Sequence, residues 1–188
     1  MSGLLTEEQV QQSQLNFVSI DQASGQFTCN KKLYPGIEGD FLGFDSHDYD
    51  FKGEPQKKLD IYIAINGGVF QVQFGFYSWL THGLLNCMSN IPNLSAGGKI
   101  KFVANKVDQN YNVKVTWNSK AISWFKTMEE LKYGNLKGKD KEAYRDKVIN
   151  RFFELLDGKH HYNPEEEVPV QEDSEPTSEP VNNGEVPF

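Results

Sequence analysis

The chain has 188 residues, 26 acidic and 19 basic, with a formal net charge of −7 and 13% aromatic residues. No apolar run is long enough to cross a bilayer, and Met1 to Gln14 lacks the basic stretch and apolar core of a secretion signal. Cys29 and Cys87 stand alone, which argues against a disulfide scaffold or a zinc site and fits reduced thiols in a cytoplasmic protein.

Thr6-Glu7-Glu8-Gln9 has the spacing of a capping box and predicts a short helix over 6–14. Two short strands, Asn16 to Ile20 and Gly25 to Cys29, are expected around Asp21 to Ser24. Gly36 to Phe44 reads as a strand, followed by an aromatic and acidic loop from Asp45 to Pro55. Leu59, Ile61, Ile63 and Ile65 alternate with polar or small residues, the period of a half-buried strand. Asn66-Gly67-Gly68 is a hairpin turn, because Asn and Gly tolerate the positive φ such turns need. Phe70, Val72, Phe74 and Phe76 alternate beyond it. Ser78 to Asn90 places Leu80, Leu84, Leu85 and Met88 at helical spacing with Ser78 as N-cap. After Pro92 to Gly98, Ile100 and Phe102 open a strand, and a turn at Asp108 to Asn110 leads to Val113, Val115 and Trp117.

Three strands, a helix and two strands is the chain order of the OB-fold, a five-stranded barrel whose faces and loops commonly bind oligonucleotides. The expected fold is therefore mainly β: a five-stranded OB-fold-like barrel with added helices and a disordered acidic C-terminal tail. Residues 1–34 form an N-terminal extension, 35–126 the barrel, 127–160 a helical extension and 161–188 the tail. In the helical extension, Thr127-Met128-Glu129-Glu130 is a second capping box. Asp140 to Asp157 is an amphipathic helix with Tyr144, Val148, Phe152, Leu155 and Leu156 on one side, ended by Gly158. It reads first as simply a core helix, and otherwise as a cover for the barrel or a neighbouring subunit.

The acidity of the chain belongs to its tail. Pro164 to Phe188 holds eight acidic residues and no Lys or Arg, leaving 18 acidic against 19 basic residues in the body. Such a segment cannot bury enough apolar surface to offset the entropy of ordering. Most acidic tails only solubilise. This one ends Gly184-Glu185-Val186-Pro187-Phe188. Phe188 can fill an apolar pocket, its carboxylate and Glu185 can meet a basic rim, and Pro187 lowers the entropy lost on docking.

On these last residues the chain resembles the single-stranded DNA-binding proteins of bacteria and phages. In that family an OB-fold precedes a disordered linker and an acidic tip ending in an aliphatic residue, proline and phenylalanine. The resemblance covers Val186, Pro187 and Phe188 residue by residue, and the barrel by strand order. It implies that these three residues and Glu185 bind replication, repair and recombination proteins, in a bacterial cell and on a phage-encoded or divergent version of the protein. Asn182-Asn183-Gly184 departs from the dense acidity usual before the aliphatic residue, which weakens the tip's expected affinity. A homo-oligomer is compatible with the resemblance.

Sequence-tolerant binding of single strands needs aromatic faces for stacking and cations along the backbone. With the inward positions Ile61, Ile63, Ile65, Phe70, Val72, Phe74, Ile100, Phe102, Val113 and Val115 set aside, Tyr62 is the large aromatic on the polar side of its strand. Lys99, Lys101 and Lys114 share that side and read either as phosphate contacts or as an ordinary solvated face. Lys106, Lys120 and Trp124 flank the last two strands; Trp124 stacks on a base or seals the barrel end, and Phe125 is expected to seal it. Phe44, Tyr49 and Phe51 ride the first loop, where Asp45, Asp48 and Asp50 would repel phosphate. The acidic tail is expected to compete with the strand for the basic groove.

Asp45, His47, Asp48 and Asp50 are the nearest approach to a metal cluster, but the spacing matches no calcium loop. Neither a phosphate-cradling Gly-rich loop nor an activated nucleophile is recognisable, so no catalysis, cofactor or metal is expected. The rival expectation is an OB-like adaptor that binds proteins and does not touch nucleic acid.

Overall fold

A computed structural model describes residues 15–21, 23–107, 110–134 and 136–157. The helix expected over 6–14, the terminator Gly158 and the acidic tail lie outside the described residues.

The described residues are mainly β, a nine-stranded sheet curled into a half-barrel with two helices. The strands are β1 (Asn16–Ile20), β2 (Phe27–Cys29), β3 (Lys32–Tyr34), β4 (Gly36–Phe51), β5 (Glu54–Ile65), β6 (Gly68–Gly75), β7 (Lys99–Val107), β8 (Asn110–Trp117) and β9 (Lys120–Ala121). The helices are α1 (Trp79–Met88) and α2 (Gly138–Asp157). The spatial order is β3-β2-β1-β6-β5-β4-β7-β8-β9. β4, β5 and β6 form an antiparallel meander, and β7 returns after α1 to lie antiparallel beside β4. That is a Greek key.

The sheet has nine strands where the barrel was expected to have five, because short strands, of which β1 and β2 were expected from the sequence, extend both ends of this core. β1 lies parallel to β6, with Phe17 beside Gln71 and Val18 beside Val72, and carries β2 and β3 outward. β9 adds two residues to β8. Four turns of two residues, Asn30-Lys31, Lys52-Gly53, Asn66-Gly67 and Asn118-Ser119, have positive φ at both positions. This is the turn geometry that matches the twist of paired strands.

The loop expected from Asp45 to Pro55 is instead a two-stranded ribbon. β4 runs on to Phe51, turns at Lys52-Gly53, and stays in register with β5 from Phe51 opposite Glu54 to Phe44 opposite Ile61. Both faces of the ribbon's outer half are wet, so no apolar alternation marks it as strand. β4 changes partner near Gly39, pairing with β7 before that point and with β5 after it. A bulge between Phe41 and Gly43 sharpens the bend there. Gly39 is required at the crossing, since a Cβ would collide with the carbonyl oxygen of Ala64.

The core lies on one side of the sheet under the two helices. Ile61, Ile63, Val72, Phe74, Ile100, Phe102, Val113 and Val115 are buried as their alternation requires, while Ile65 and Phe70 are partly buried against them. Phe44, expected on a loop, is fully buried and meets the ring of Phe153 on α2 edge-on at 5.5 Å. Ser78 caps α1, its Oγ accepting from the backbone N–H of Thr81 at 3.1 Å. α2 packs on α1 and buries Val148, Ile149, Phe152 and Leu156. Leu155, expected on that face, is exposed, and Ile149 takes its place. The Thr127 capping box forms reciprocally, Glu130 N–H to Thr127 Oγ1 at 3.2 Å and Thr127 N–H to Glu130 Oε2 at 2.7 Å. Those backbone and hydroxyl hydrogen bonds hold the Glu130 carboxyl below its ordinary pKa. No helix follows, because Lys132 and Gly134 take positive φ.

Candidate nucleic-acid interface

The lysines singled out by alternation do not form one site. Lys99 and Lys101 of β7 share a side with Lys114 and Thr116 of β8, Lys101 standing opposite Thr116 and Lys114 opposite Val103. On β4 the same side presents Asp40 opposite Lys99 and Glu38 opposite Lys101. The Lys101 ammonium is 3.1 Å from the Glu38 carboxylate. Three lysines therefore face two carboxylates, and the half-exposed pair adds little to stability. Lys106 lies on the opposite side of β7, with Ile100 and Phe102, and its ammonium donates to the carbonyl of Ala23 at 3.2 Å. Lys120 is exposed opposite Trp117 at the sheet edge.

Tyr62 shares the lysine side of the sheet but is only 6% exposed, set between Gly43 and Gln71. It belongs to a buried polar strip that sequence reasoning missed. Asp60, almost wholly buried, is hydrogen-bonded to Nδ1 of His47 and accepts from Gln73 Nε2 at 3.1 Å. Lys58 Nζ in turn donates to Gln73 Oε1 at 3.2 Å. His47 is thereby tied to Asp60, and among the described residues no three His, Cys, Asp or Glu side chains are grouped to hold a metal.

Phe17 on β1, beside Gln71, is an open ring on the Tyr62 side at 59% exposure, and Tyr34 on β3 is also exposed; five more exposed rings lie away from these strands. Phe51, Tyr77, Trp79, Trp124 and Phe125 are 40 to 55% exposed. They run from the ribbon tip, past the start of α1, to the segment after β9. Where the ribbon meets the entry to α1, a cleft of about 410 Å³ is lined by Tyr49, Phe76 and Tyr77 with Lys57, Gln56 and Asp48. Beyond it, the buried His82 ring sits between Trp79 at 5.4 Å and Trp124 at 6.0 Å.

Cations accompany these rings. Lys52 stands 5.2 Å from the centre of Phe51, Lys58 4.9 Å from Tyr49, and Lys57 4.5 Å from Phe76 in the cleft. Lys141 and Arg145 of α2 lie 5.4 and 5.6 Å from Trp79, and Lys126 5.3 Å from Phe125. These are cation–π distances. Lys99, Lys101, Lys114 and Lys120 make no such contact among the described residues. Acidic neighbours limit the net charge: Arg145 is paired with Asp146 at 2.7 Å and Lys126 approaches Glu130 at 3.8 Å.

No family model, curated protein or solved structure matches this chain.

The segment bearing Trp124 and Phe125 is held to α1 by side chains. Asn86 Nδ2 donates to the Lys126 carbonyl at 2.8 Å, and Asn90 Nδ2 donates to the Ser123 carbonyl at 3.2 Å. Burial pushes the Cys87 thiol up to about 11, so it is a packing group. Burial likewise lowers His82 to about 4 and raises Tyr133 to about 12. Phe125, expected to seal the barrel, is as exposed as Trp124. Tyr77 and Trp79 carried a signal in the sequence: both precede the Leu80, Leu84, Leu85, Met88 stripe and stand outside it. Glu185, Val186, Pro187 and Phe188 lie outside the described residues. Among the described residues no helix is long and apolar enough to cross a membrane.

Proposed function

We propose that this chain binds single-stranded DNA with little sequence preference, protecting it during replication, recombination or repair, and recruits partner proteins through Glu185, Val186, Pro187 and Phe188. The observation that carries the reading is the Greek key of β4 to β7 with α1 between its third and fourth strands. With β8 added, these are the strands of an OB-fold in chain order, a partly open barrel used for oligonucleotides. On this reading β1 to β3 and β9 are additions to an OB core, and the β4–β5 ribbon is an enlarged form of the loop that borders an OB binding groove. The working place is the cytoplasm of a bacterial cell, and no catalytic group is needed. Single-strand binding requires stacking surfaces and nearby cations, and exposed rings accompanied by lysines supply both.

The test is a titration of the full chain with oligo-dT and with duplex of equal length at two salt concentrations. Binding to the single strand alone, weakening with salt, supports the reading. Absence of binding at low salt, also after removal of 164–188, refutes it. If the tail competes for the same cations, its removal tightens binding at low salt and has less effect at high salt.

A further inference from the structure

We propose that the strand lies along the ribbon tip, the entry to α1 and the segment after β9, stacking on Phe51, Tyr77, Trp79, Trp124 and Phe125, and not across the lysines of β7 and β8. The inference rests on the single-strand reading and assigns it a path.

Stacking decides between the two paths. Each base stacked on an aromatic ring contributes ~1–3 kcal/mol, and only a ring open to solvent can receive one. On the lysine side Tyr62 is closed off by its neighbours on β4 and β6, and Phe17, which is open there, lies on β1, four strands away from the lysines of β7. The described side chains of β7 and β8 include no exposed ring. The ribbon tip, the entry to α1 and the segment after β9 keep five rings open, Phe51 on the Tyr62 side of the sheet by its place opposite Glu54, and a run of exposed apolar surface marks an interaction site. Rings that merely sealed the core would be covered, as Phe44 and Phe76 are.

Shared neighbours and short chain separations connect the run. Phe51 and Tyr49 are two residues apart on one face of the ribbon. Tyr49 and Tyr77 line the same cleft, and Trp79 follows Tyr77 at the first position of α1. His82 spans Trp79 and Trp124, and Phe125 comes next. Cations sit within 6 Å of rings at the ribbon tip, in the cleft, at Trp79 and at Phe125. A base stacked on a ring therefore brings its phosphate close to a lysine or arginine that already occupies the ring's edge or face. Because Glu130, Asp146 and Asp48 offset part of that charge, few phosphates are neutralised. Salt dependence is correspondingly shallow, a slope of roughly −2 in log–log terms for about three phosphates.

The experiment uses the full-length chain and fluorescently labelled oligo-dT, read by anisotropy, so that removing a ring does not remove the signal. Phe51→Ser and Phe125→Ser are the leading variants, since both rings are exposed; Trp79→Ala is the third, checked for folding by circular dichroism. Each folded variant is expected to weaken binding about 5- to 100-fold, whereas Lys99→Ser, Lys101→Ser and Lys114→Ser combined change it less than about threefold. In parallel, ultraviolet cross-linking of wild-type protein to bromodeoxyuridine oligomers places the adduct on peptides containing Tyr77, Trp79 or Trp124. If wild type binds but the folded ring variants bind equally well, or the adducts fall on β7 and β8, the path is overturned and the single-strand reading survives. If wild type does not bind at all, the reading itself fails and the path with it.

Discussion

The carboxamide of Asn86 grips both backbone groups of Lys126: it donates to the carbonyl at 2.8 Å and accepts from the N–H at 2.9 Å. Asn86 is fully buried, and its own backbone carbonyl accepts from Phe125 N–H at 3.2 Å. One side chain on α1 thus pairs with the chain as a neighbouring strand would. Asn86→Leu leaves a buried N–H and carbonyl unpaired and is expected to cost about 2–4 kcal/mol. Urea denaturation reads the loss, and trypsin should cut faster after Lys126 in the variant. An unchanged midpoint together with an unchanged cleavage rate would remove Asn86 from this role.

His82 makes stability depend on pH. Its pKa falls from 6.5 to about 4 on folding, chiefly by burial among rings and secondarily through the nearby Arg145 charge. Between those values the unfolded chain binds more protons than the folded one, so stability is complete above about pH 6.5 and declines toward pH 4. The linkage is worth about 2 kcal/mol between pH 7 and pH 5. His82→Phe should flatten that part of the urea midpoint against pH, and a profile identical to wild type would refute the assignment. The Tyr133 hydroxyl in the same cluster is buried without a hydrogen-bond partner among the described residues. Tyr133→Phe is therefore expected to be neutral or to stabilise by up to about 1 kcal/mol.

Ser119 holds φ at +66° in the turn between β8 and β9, a region disfavoured for residues with a Cβ. Ser119→Gly should raise stability by about 0.5–1 kcal/mol after allowing for glycine's greater freedom in the unfolded chain. Its neighbour behaves oppositely. Asn118 Oδ1 accepts from Lys99 N–H at 2.9 Å, so Asn118→Ala should destabilise by about 1 kcal/mol despite the similar φ. Thermal melts of the two variants should move in opposite directions.

Gly39→Ala tests the bend in β4. The new methyl would meet the carbonyl oxygen of Ala64 and the Ile65 side chain, neither of which can retreat without loosening the β4–β5 pairing. A loss of about 2–4 kcal/mol is expected by chemical denaturation. A loss below about 0.5 kcal/mol would show that β4 passes from β7 to β5 without needing a glycine there.

What was legible in the sequence is what local rules control. Alternation placed Ile61, Ile63, Val72 and Phe102 in the core because one face of those strands is dry. Asn66-Gly67 and Ser78 declared their turn and cap through backbone chemistry. The outer ribbon escaped because Asp45 to Phe51 carries polar residues on both faces, and only the turn at Lys52-Gly53 marked it. Parity separated Lys99, Lys101 and Lys114 from the core, but it also puts Lys106 with Ile100 and Phe102, a consequence that composition conceals. Ring exposure was hardest to read. Phe44 and Phe51 lie on opposite sides of one strand, one fully buried and the other 55% exposed, and the side that Phe44 takes is covered by α2, distant in sequence.

The sheet never closes on itself, and its two margins are β3, three residues long, and β9, two residues long. Lys31 and Lys32 stand at one margin with Pro35 just beyond it, and Lys120 at the other. Strands this short, guarded by charge and by a residue without an N–H, offer too few unpaired backbone groups to template a further strand. At these two margins the sheet stays open without inviting edge-to-edge aggregation, even when many copies are crowded together.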